Sequence, residues 1–178
     1  NGRLLVNVVV GGSAPELAGD GIFLDHDERY DHAREFFSVY NDLIETGAAH
    51  LDGKYIKAHH AKLVLPPVQT PPLYFGGSSD AAIDFAGEMV EKYLTWGEPP
   101  AQVGEKIAAV RAAAAARGRE VSFGIRLHFI VRETDEAAWA AADELLAELS
   151  AAAMATAQEV LRHQQDSVGQ QRTNALHN

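Results

Sequence analysis

The chain has 178 residues, 47% of them hydrophobic and 22% charged, which is typical of a soluble globular protein with one sizeable core. Its formal net charge of −10 disfavours nonspecific binding of nucleic acid, which needs a basic face. No apolar run approaches the length of a membrane span, and the absence of cysteine excludes disulfides and thiolate metal sites. We therefore expect a cytoplasmic protein that binds neither nucleic acid nor membranes.

The first predicted strand is the nearly continuous apolar run from Arg3 to Val10, a pattern typical of burial on both faces of a parallel sheet. A helix is predicted from Asp27 to Leu43, because its apolar residues recur at helical spacing and acidic residues crowd its first turn. Residues 48–72 predict an insertion, made of a short hairpin turning at Asp52-Gly53 and a proline-rich extended connector.

Three further strands alternate with helices in the second half of the chain. The strands are predicted at 73–75, 93–96 and 121–131, and the helices at 81–91, 101–117, 134–149 and 151–164. Gly118 is predicted to stop the second of these helices, and Thr134 to cap the third. A polar, weakly patterned tail follows to residue 178, and we expect it to be flexible.

Short apolar strands that alternate with helices indicate parallel βα units in an α/β protein. Four consecutive units are half of an eight-stranded (β/α)8 barrel or most of an open doubly wound sheet, so a flavodoxin-like sheet is the alternative. The insertion between the first two strands favours a barrel. We expect residues 1–178 to form a single partial barrel domain, roughly strands 4 to 7 of a TIM barrel, cut from a longer protein.

The eight histidines raise the question of a metal site. His59 and His60 are adjacent, and neighbouring residues of a regular strand face opposite sides. His26, His32 and His50 have no partner at the spacing of a helix-borne metal motif. The sequence therefore predicts no metal site.

The strand predicted at 121–131 carries two polar side chains on one face. Alternation places Arg126 and His128 on the face opposite Ile125 and Leu127. A guanidinium and an imidazole two residues apart need an anion, a carboxylate or water to contact. Alternation alone leaves two interpretations open, a satisfied structural ion pair and a functional pair.

A glycine- and serine-rich loop, Gly76-Gly77-Ser78-Ser79, joins a predicted strand to a predicted helix. Glycine lets the backbone approach an anion, a helix N-terminus offers unpaired N–H groups, and serine hydroxyls add further donors. This pattern is typical of a mononucleotide phosphate site at the carboxyl end of a barrel strand. No lysine follows the glycines, so the loop is not a Walker loop, and a simple helix cap at Ser79 or Asp80 explains the same spacing.

Several longer motifs are distributed along the whole chain: Gly2-Arg3 with Asn7 to Val9, Leu17 to Gly21, Asp27 to Tyr30, Pro66 to Gln69, Leu73 to Ser79, Tyr93 to Pro100, Phe123 to His128 and Asp166 to Arg172. Together they resemble the bacterial alkanesulfonate monooxygenases, a family of the luciferase-like flavin-dependent group. The resemblance implies a TIM-barrel enzyme that uses reduced FMN and O2 to cleave an alkanesulfonate to an aldehyde and sulfite. It also implies an NAD(P)H-dependent FMN reductase that supplies the reduced FMN, a role in sulfur acquisition, and a homo-oligomer.

Carried over by motif, the resemblance assigns Arg126 and His128 as catalytic residues. It assigns the FMN phosphate to the loop residues Gly76, Gly77, Ser78 and Ser79. It also assigns flavin contacts to Asn7, Tyr30 and Trp96. For Tyr30 and Trp96 a plain core aromatic is the alternative, and Arg29 is left out as a surface or salt-bridged arginine.

Three other interpretations stay open. A close relative acting on methanesulfonate would carry the same motifs. A deazaflavin- or FMN-dependent oxidoreductase could use the same barrel, although Gly124 to His128 matches the sulfonate family more specifically. Finally, half a barrel could be a noncatalytic fragment or an assembly module, because its unpaired strand edges favour association.

Overall fold

The computed structural model of the protein describes residues 2–65, 67–163 and 167–175. The strands are β1 Val6–Val8, β2 Ala48–Asp52, β3 Lys57–Lys62, β4 Leu73–Phe75, β5 Lys92–Trp96 and β6 Ser122–Arg126. The helices are α1 Ala14–Gly19, α2 His26–Thr46, α3 Asp80–Met89, α4 Pro100–Ala115, α5 Asp135–Ala147, α6 Ala151–His163 and α7 Val168–Ala175. The main sheet has the order β1-β4-β5-β6 with parallel pairings, and β2 and β3 form a separate antiparallel hairpin. The parallel sheet and the inserted hairpin are as predicted.

The core lies between one face of the main sheet and the helices α2, α3 and α4. Phe75 of β4 and Phe85 of α3 are almost completely buried, with ring centroids 5.1 Å apart. Tyr93 of β5 and Val110 of α4 belong to the same cluster. Each such side chain contributes about 1.5–3 kcal/mol by leaving water. No helix of the described residues is long and apolar enough to cross a membrane.

The helix α2 is longer at both ends than the periodicity of its apolar residues predicts. Its start is set by a capping box, in which Asp25 accepts the N–H of Glu28 at 2.8 Å and Glu28 accepts the N–H of Asp25. Its end is set by Gly47, whose φ of 78° lies in the left-handed region that ends helices. These caps fix the helix at residues 26–46 and orient its buried face toward the sheet.

The two edge strands differ most from the prediction. The run from Arg3 to Val10 was expected to be buried on both faces, but the strand covers only Val6–Val8, and Val9 is 78% exposed. At the other edge β6 ends at Arg126, so the strand predicted to reach residue 131 is too long, and Phe129 is 77% exposed. The reason is the same at both edges: among the described residues no further strand pairs with them, so their outer hydrogen-bonding groups and apolar side chains face open space.

The segment after α6 was predicted to be a flexible tail, but residues 168–175 form the helix α7. The sequence gives little sign of it, because the helix is short and polar and has no clear apolar face. The helix is held by a residue far away in the sequence, since Arg172 forms an ion pair with Glu98 at 3.1 Å. Asp166, the first residue of its motif, and Pro66 of the connector lie outside the described residues.

One carboxylate fixes the hairpin to α2. Glu35 accepts the backbone N–H groups of Lys54 at 2.8 Å, Tyr55 at 2.7 Å and Ile56 at 2.8 Å. A Cβ on Gly53 would lie 2.3 Å from a carboxylate oxygen of Glu35, so a larger residue there would displace this carboxylate. Burial by itself would raise the pKa of Glu35, but the three N–H donors outweigh it and hold the pKa below its usual value.

This lowered pKa predicts acid-sensitive docking of the hairpin. The Glu35 contribution is fully present above the ordinary glutamate pKa of 4.5 and is lost as the pH falls through the lowered folded value. Relative to the intrinsic exchange rate at each pH, we expect the amides of residues 54–56 to be less protected at about pH 3 than at about pH 6. Glu35→Ala should reproduce the lowered protection at about pH 6, whereas Glu45→Ala, an exposed position on the same helix, should not. Unchanged protection in Glu35→Ala would contradict this role.

Candidate functional site at the carboxyl ends of the strands

Parallel strands bring their carboxyl ends to one edge of the sheet, where ligands bind in barrels and open α/β sheets. Here that edge is formed by the ends of β1, β4, β5 and β6 and the loops after them. Most of the predicted site residues belong to these ends and loops, although they come from four distant parts of the chain. Their register shows which of them are neighbours.

Arg126 and Trp96 are register partners at the ends of β6 and β5. The guanidinium carbon of Arg126 lies 5.6 Å from the centroid of the Trp96 ring, which is a cation–π contact. Trp96 is 60% exposed, so it is not a core aromatic. In the described parts of the chain no carboxylate pairs with Arg126, so the structural ion pair left open by the sequence is absent there. The positive charge of Arg126 is therefore available to an incoming anion.

His128 is exposed and lies two residues beyond the end of β6. The prediction that it shares a strand face with Arg126 is wrong, because the strand stops at Arg126 and alternation no longer applies. Its catalytic assignment stays a prediction.

The loop Gly76-Gly77-Ser78-Ser79 connects β4 to α3. Ser79 caps α3, and its Oγ accepts the N–H of Ala82 at 3.2 Å. Both glycines are needed for close packing: a Cβ on Gly76 would lie 2.6 Å from the carbonyl oxygen of Leu94, and one on Gly77 would lie 2.6 Å from the Cβ of Ala82. The cap interpretation therefore holds for Ser79, and it leaves the role of Ser78 unexplained.

Tyr30 connects the core to this loop. Its ring packs against Phe75 and Phe85, with centroids 6.2 and 6.0 Å away, so the ring is a core aromatic as the alternative proposed. Burial raises the pKa of Tyr30, and the Ser79 side chain and the charge of Arg29 only partly offset this, so the hydroxyl keeps its proton.

Asn7 lies in the middle of β1, in register with Tyr74 of β4. It is exposed and belongs to the face opposite the core, because its neighbour Val8 is buried among the helices. Arg126 of β6 is exposed as well, but it does not contact Asn7.

From the sequence, Arg29 was left out as a surface or salt-bridged arginine. It is not on the surface, and it forms no ion pair within the described part of the chain. It is 9% exposed and lines a cavity of about 350 Å³ between β1, α1 and α2, together with His32 and Phe36. One of its terminal nitrogens donates to the carbonyl oxygen of Leu24 at 3.3 Å, and its Nε has no partner in the described structure. Helical periodicity could have found it, since Arg29 lies four residues before the buried Ala33.

A second feature that was not predicted from the sequence is a buried cluster of charged side chains. Glu98 follows β5 and accepts hydrogen bonds from Lys106 of α4 and from Arg172 of α7, the latter at 3.1 Å. The side chains of Glu98 and Lys106 are 4% and 5% exposed. Burial alone would raise the pKa of Glu98, but the two cations hold it below its usual range. Burial, with a contribution from Glu98, raises the pKa of the neighbouring Tyr93 to about 12.

The hairpin histidines are not arranged as the sequence predicted. A bulge places His50 opposite both His59 and His60, because the register shifts between Ala49 and Leu51 and His60 has φ 55°. The His50 ring centroid is 5.3 Å from that of His59 and 5.2 Å from that of His60, so these neighbours do not face opposite sides. Even so, no group of three His, Asp or Glu side chains in the described ranges is arranged to hold a metal ion.

The parallel sheet, the helices on one of its faces and the loop at its carboxyl edge define an α/β protein of the barrel type. The family model of the luciferase-like monooxygenases matches residues 1–178, and the chain belongs to that family. The luciferase-like barrel predicted from the sequence is therefore confirmed, and the flavodoxin-like alternative is set aside.

Solved structures agree with this fold. Riboflavin lyase with modified FMN and its substrate riboflavin has a TM-score of 0.74 and 26% identity, over 82% of this chain and 38% of that one. Long-chain alkane monooxygenase has a TM-score of 0.76 and 24% identity, over 84% and 41%. An F420-dependent secondary alcohol dehydrogenase with an F420-acetone adduct has a TM-score of 0.62 and 23% identity, over 70% and 39%. The chain spans about two fifths of the length of each of these proteins.

Proposed function

We propose that this chain carries the phosphate loop and the substrate-binding arginine of a two-component flavin-dependent monooxygenase. The reaction is the cleavage of an alkanesulfonate to an aldehyde and sulfite with reduced FMN and O2, in the cytoplasm and for sulfur acquisition. The observation that carries the proposal is the pairing of Arg126 with Trp96 at the carboxyl edge. It combines a permanent cation that has no carboxylate partner in the described structure with an aromatic surface, which suits a ligand with an anionic head and an apolar chain.

The loop after β4 fits the phosphate group of FMN. Its glycines bring the backbone into close contact with Leu94 and Ala82, and Ser78 is left beside the N-terminus of α3. The Tyr30 ring packs against Phe75, the last residue of β4 before the loop. Gly76 to Ser79 would hold the phosphate, and Asn7 and Trp96 would contact the rest of the flavin. When bound, the reduced flavin supplies the oxygen chemistry.

The residues of the chain itself bind, orient and exclude water. Arg126 presents several N–H donors to the sulfonate oxygens and stays charged throughout. Trp96 contacts the guanidinium through its ring and helps to orient it. His128 follows two residues later and would act as the general acid or base of the reaction. The proposal includes an NAD(P)H-dependent FMN reductase as the supplier of reduced FMN and a homo-oligomeric enzyme.

Sulfite release from an alkanesulfonate tests this function. We expect the whole protein to release sulfite from pentanesulfonate only when both reduced FMN and O2 are present, as measured with a thiol-reactive dye. The control omits O2, because oxygen is a substrate of the proposed reaction. Sulfite formation under strict anaerobiosis would overturn the proposal. A preference for methanesulfonate would assign the close relative, and reduction of F420 by an alcohol would assign the deazaflavin-dependent alternative.

A further inference from the structure

The helix α7 lies over the loops at the carboxyl edge of the sheet. The Cβ of Ser167 is 3.9 Å from the position that a Cβ on Gly12 would take, after the end of β1. The Oγ of Ser78 is 3.8 Å from the position that a Cβ on Gly169 would take. Residues 167–169 therefore bridge the loop after β1 and the glycine-rich loop after β4.

A buried ion pair ties this helix to the sheet. Arg172, one turn after Gly169, donates to Glu98 at 3.1 Å, and Lys106 holds the other oxygen of the same carboxylate. The Arg172 side chain is 29% exposed, so most of it is covered. Because the carboxylate is desolvated, losing one cationic partner leaves a poorly compensated charge. The position of α7 thus depends on this contact.

Tyr93 connects the buried cluster of Glu98, Lys106 and Arg172 to the proposed phosphate loop. Tyr93, whose ring is buried in the core, donates its hydroxyl hydrogen to the carbonyl oxygen of Gly77. Besides burial, the charges of Glu98 and Arg172 both act on the pKa of that hydroxyl. Two cations against one carboxylate leave the cluster with an excess of positive charge, and the Nε of Arg172 is buried without a hydrogen-bond partner in the described structure. Such a charge favours a dianionic group above the loop.

We propose that Arg172 is a positioning residue for the flavin phosphate: by binding Glu98 it seats α7, so that residues 167–169 form the wall of the phosphate pocket facing Ser78. The ligand class is a phosphate monoester, which rests on the proposed FMN-dependent function. This gives a role to the motif Ser167 to Arg172, which belongs neither to the sulfonate-facing pair nor to the glycine loop.

The test compares FMN with riboflavin, which lacks the phosphate, by fluorescence titration of the whole protein. Arg172→Gln should weaken FMN binding by roughly 10- to 100-fold and leave riboflavin binding within about twofold, because one charge-assisted contact supports only the phosphate end. Arg172→Lys should restore part of the loss. Arg117→Gln is the matched control, because Arg117 pairs with Asp84 at 2.6 Å on the helical side of the sheet.

A second variant does not depend on the buried ion pair. Gly169→Glu places a carboxylate beside Ser78 where there is room for a Cβ, and it should abolish FMN binding but keep riboflavin binding. Equal losses for FMN and riboflavin in both variants would mean a purely structural role, and unchanged FMN binding would remove α7 from the pocket. Either result overturns the inference.

The outcome also separates this inference from the proposed function. If the unmodified protein binds neither flavin, the FMN-dependent function fails. The affinity for inorganic pyrophosphate, measured by calorimetry, then tests whether the phosphate pocket exists. Weaker pyrophosphate binding in Arg172→Gln keeps the inference, and the absence of pyrophosphate binding to the unmodified protein overturns it too.

Discussion

We expect Arg126→Ala in the whole protein, with its further barrel strands, to lower turnover of the alkanesulfonate by roughly 30- to 1,000-fold, while the affinity for reduced FMN changes by less than about threefold. A charge-assisted bond to a buried anion is worth about 2–4 kcal/mol in the transition state, and each 1.4 kcal/mol is about a factor of ten in rate. The affinity for FMN should survive because Arg126 lies at the end of β6, whereas the proposed phosphate loop follows β4. Stopped-flow turnover and flavin titration measure the two quantities separately.

Two variants sharpen this test. Arg126→Lys keeps the charge but loses the planar fork of donors and the stacking on Trp96, so we expect an intermediate rate. Arg132→Ala is the control, since Arg132 is exposed and donates to its own neighbour, the carbonyl oxygen of Val131. Near-normal turnover in Arg126→Ala would show that the arginine does not act on the substrate.

The second large effect concerns the 178-residue chain assayed alone. We expect sulfite release below about one per cent of that of a longer form that supplies further barrel strands, because a half-open site cannot exclude water from the reaction. The face of the sheet that carries Asn7 and Arg126 is exposed, and so are the edge residues Val9 and Phe129. The phosphate loop is local in sequence and should keep weak affinity for phosphate.

The assay uses equal concentrations of the two forms with reduced FMN, O2 and pentanesulfonate. Sedimentation of the short chain is measured in parallel, because its free strand edges favour association with a second copy. Turnover of the short chain comparable to that of the longer form would mean that four strands suffice for the chemistry.

Local chemistry predicted much of this fold. The Asp52-Gly53 turn, the cap at Ser79 and the stop at Gly118 all lie where the sequence places them. These features depend on a few neighbouring residues, so a single sequence contains them. The site was also predictable in part, since Trp96 and Arg126 each end a strand and parallel register brings such ends together.

The largest errors concern contacts between distant residues. The burial of the run from Arg3 to Val10 depends on whether another strand lies beside it. The helix α7 depends on Glu98, far away in the sequence, and the positions of His59 and His60 depend on a bulge opposite His50. None of these follows from spacing along the chain, because alternation and helical periodicity describe only one element at a time.

The hairpin between β1 and β4 has a consequence for how the chain folds. The strands β4, β5 and β6 are joined by one helix each, so their pairing closes short loops. Pairing of β1 with β4 must instead close a loop that contains α1, α2 and the whole insertion. The entropy of closure grows only with the logarithm of loop length, and a doubled loop costs about 0.6 kcal/mol more. We therefore expect the segment from β4 to β6 to assemble first and β1 to dock onto it last, and changes in the length of the insertion to have little effect on stability.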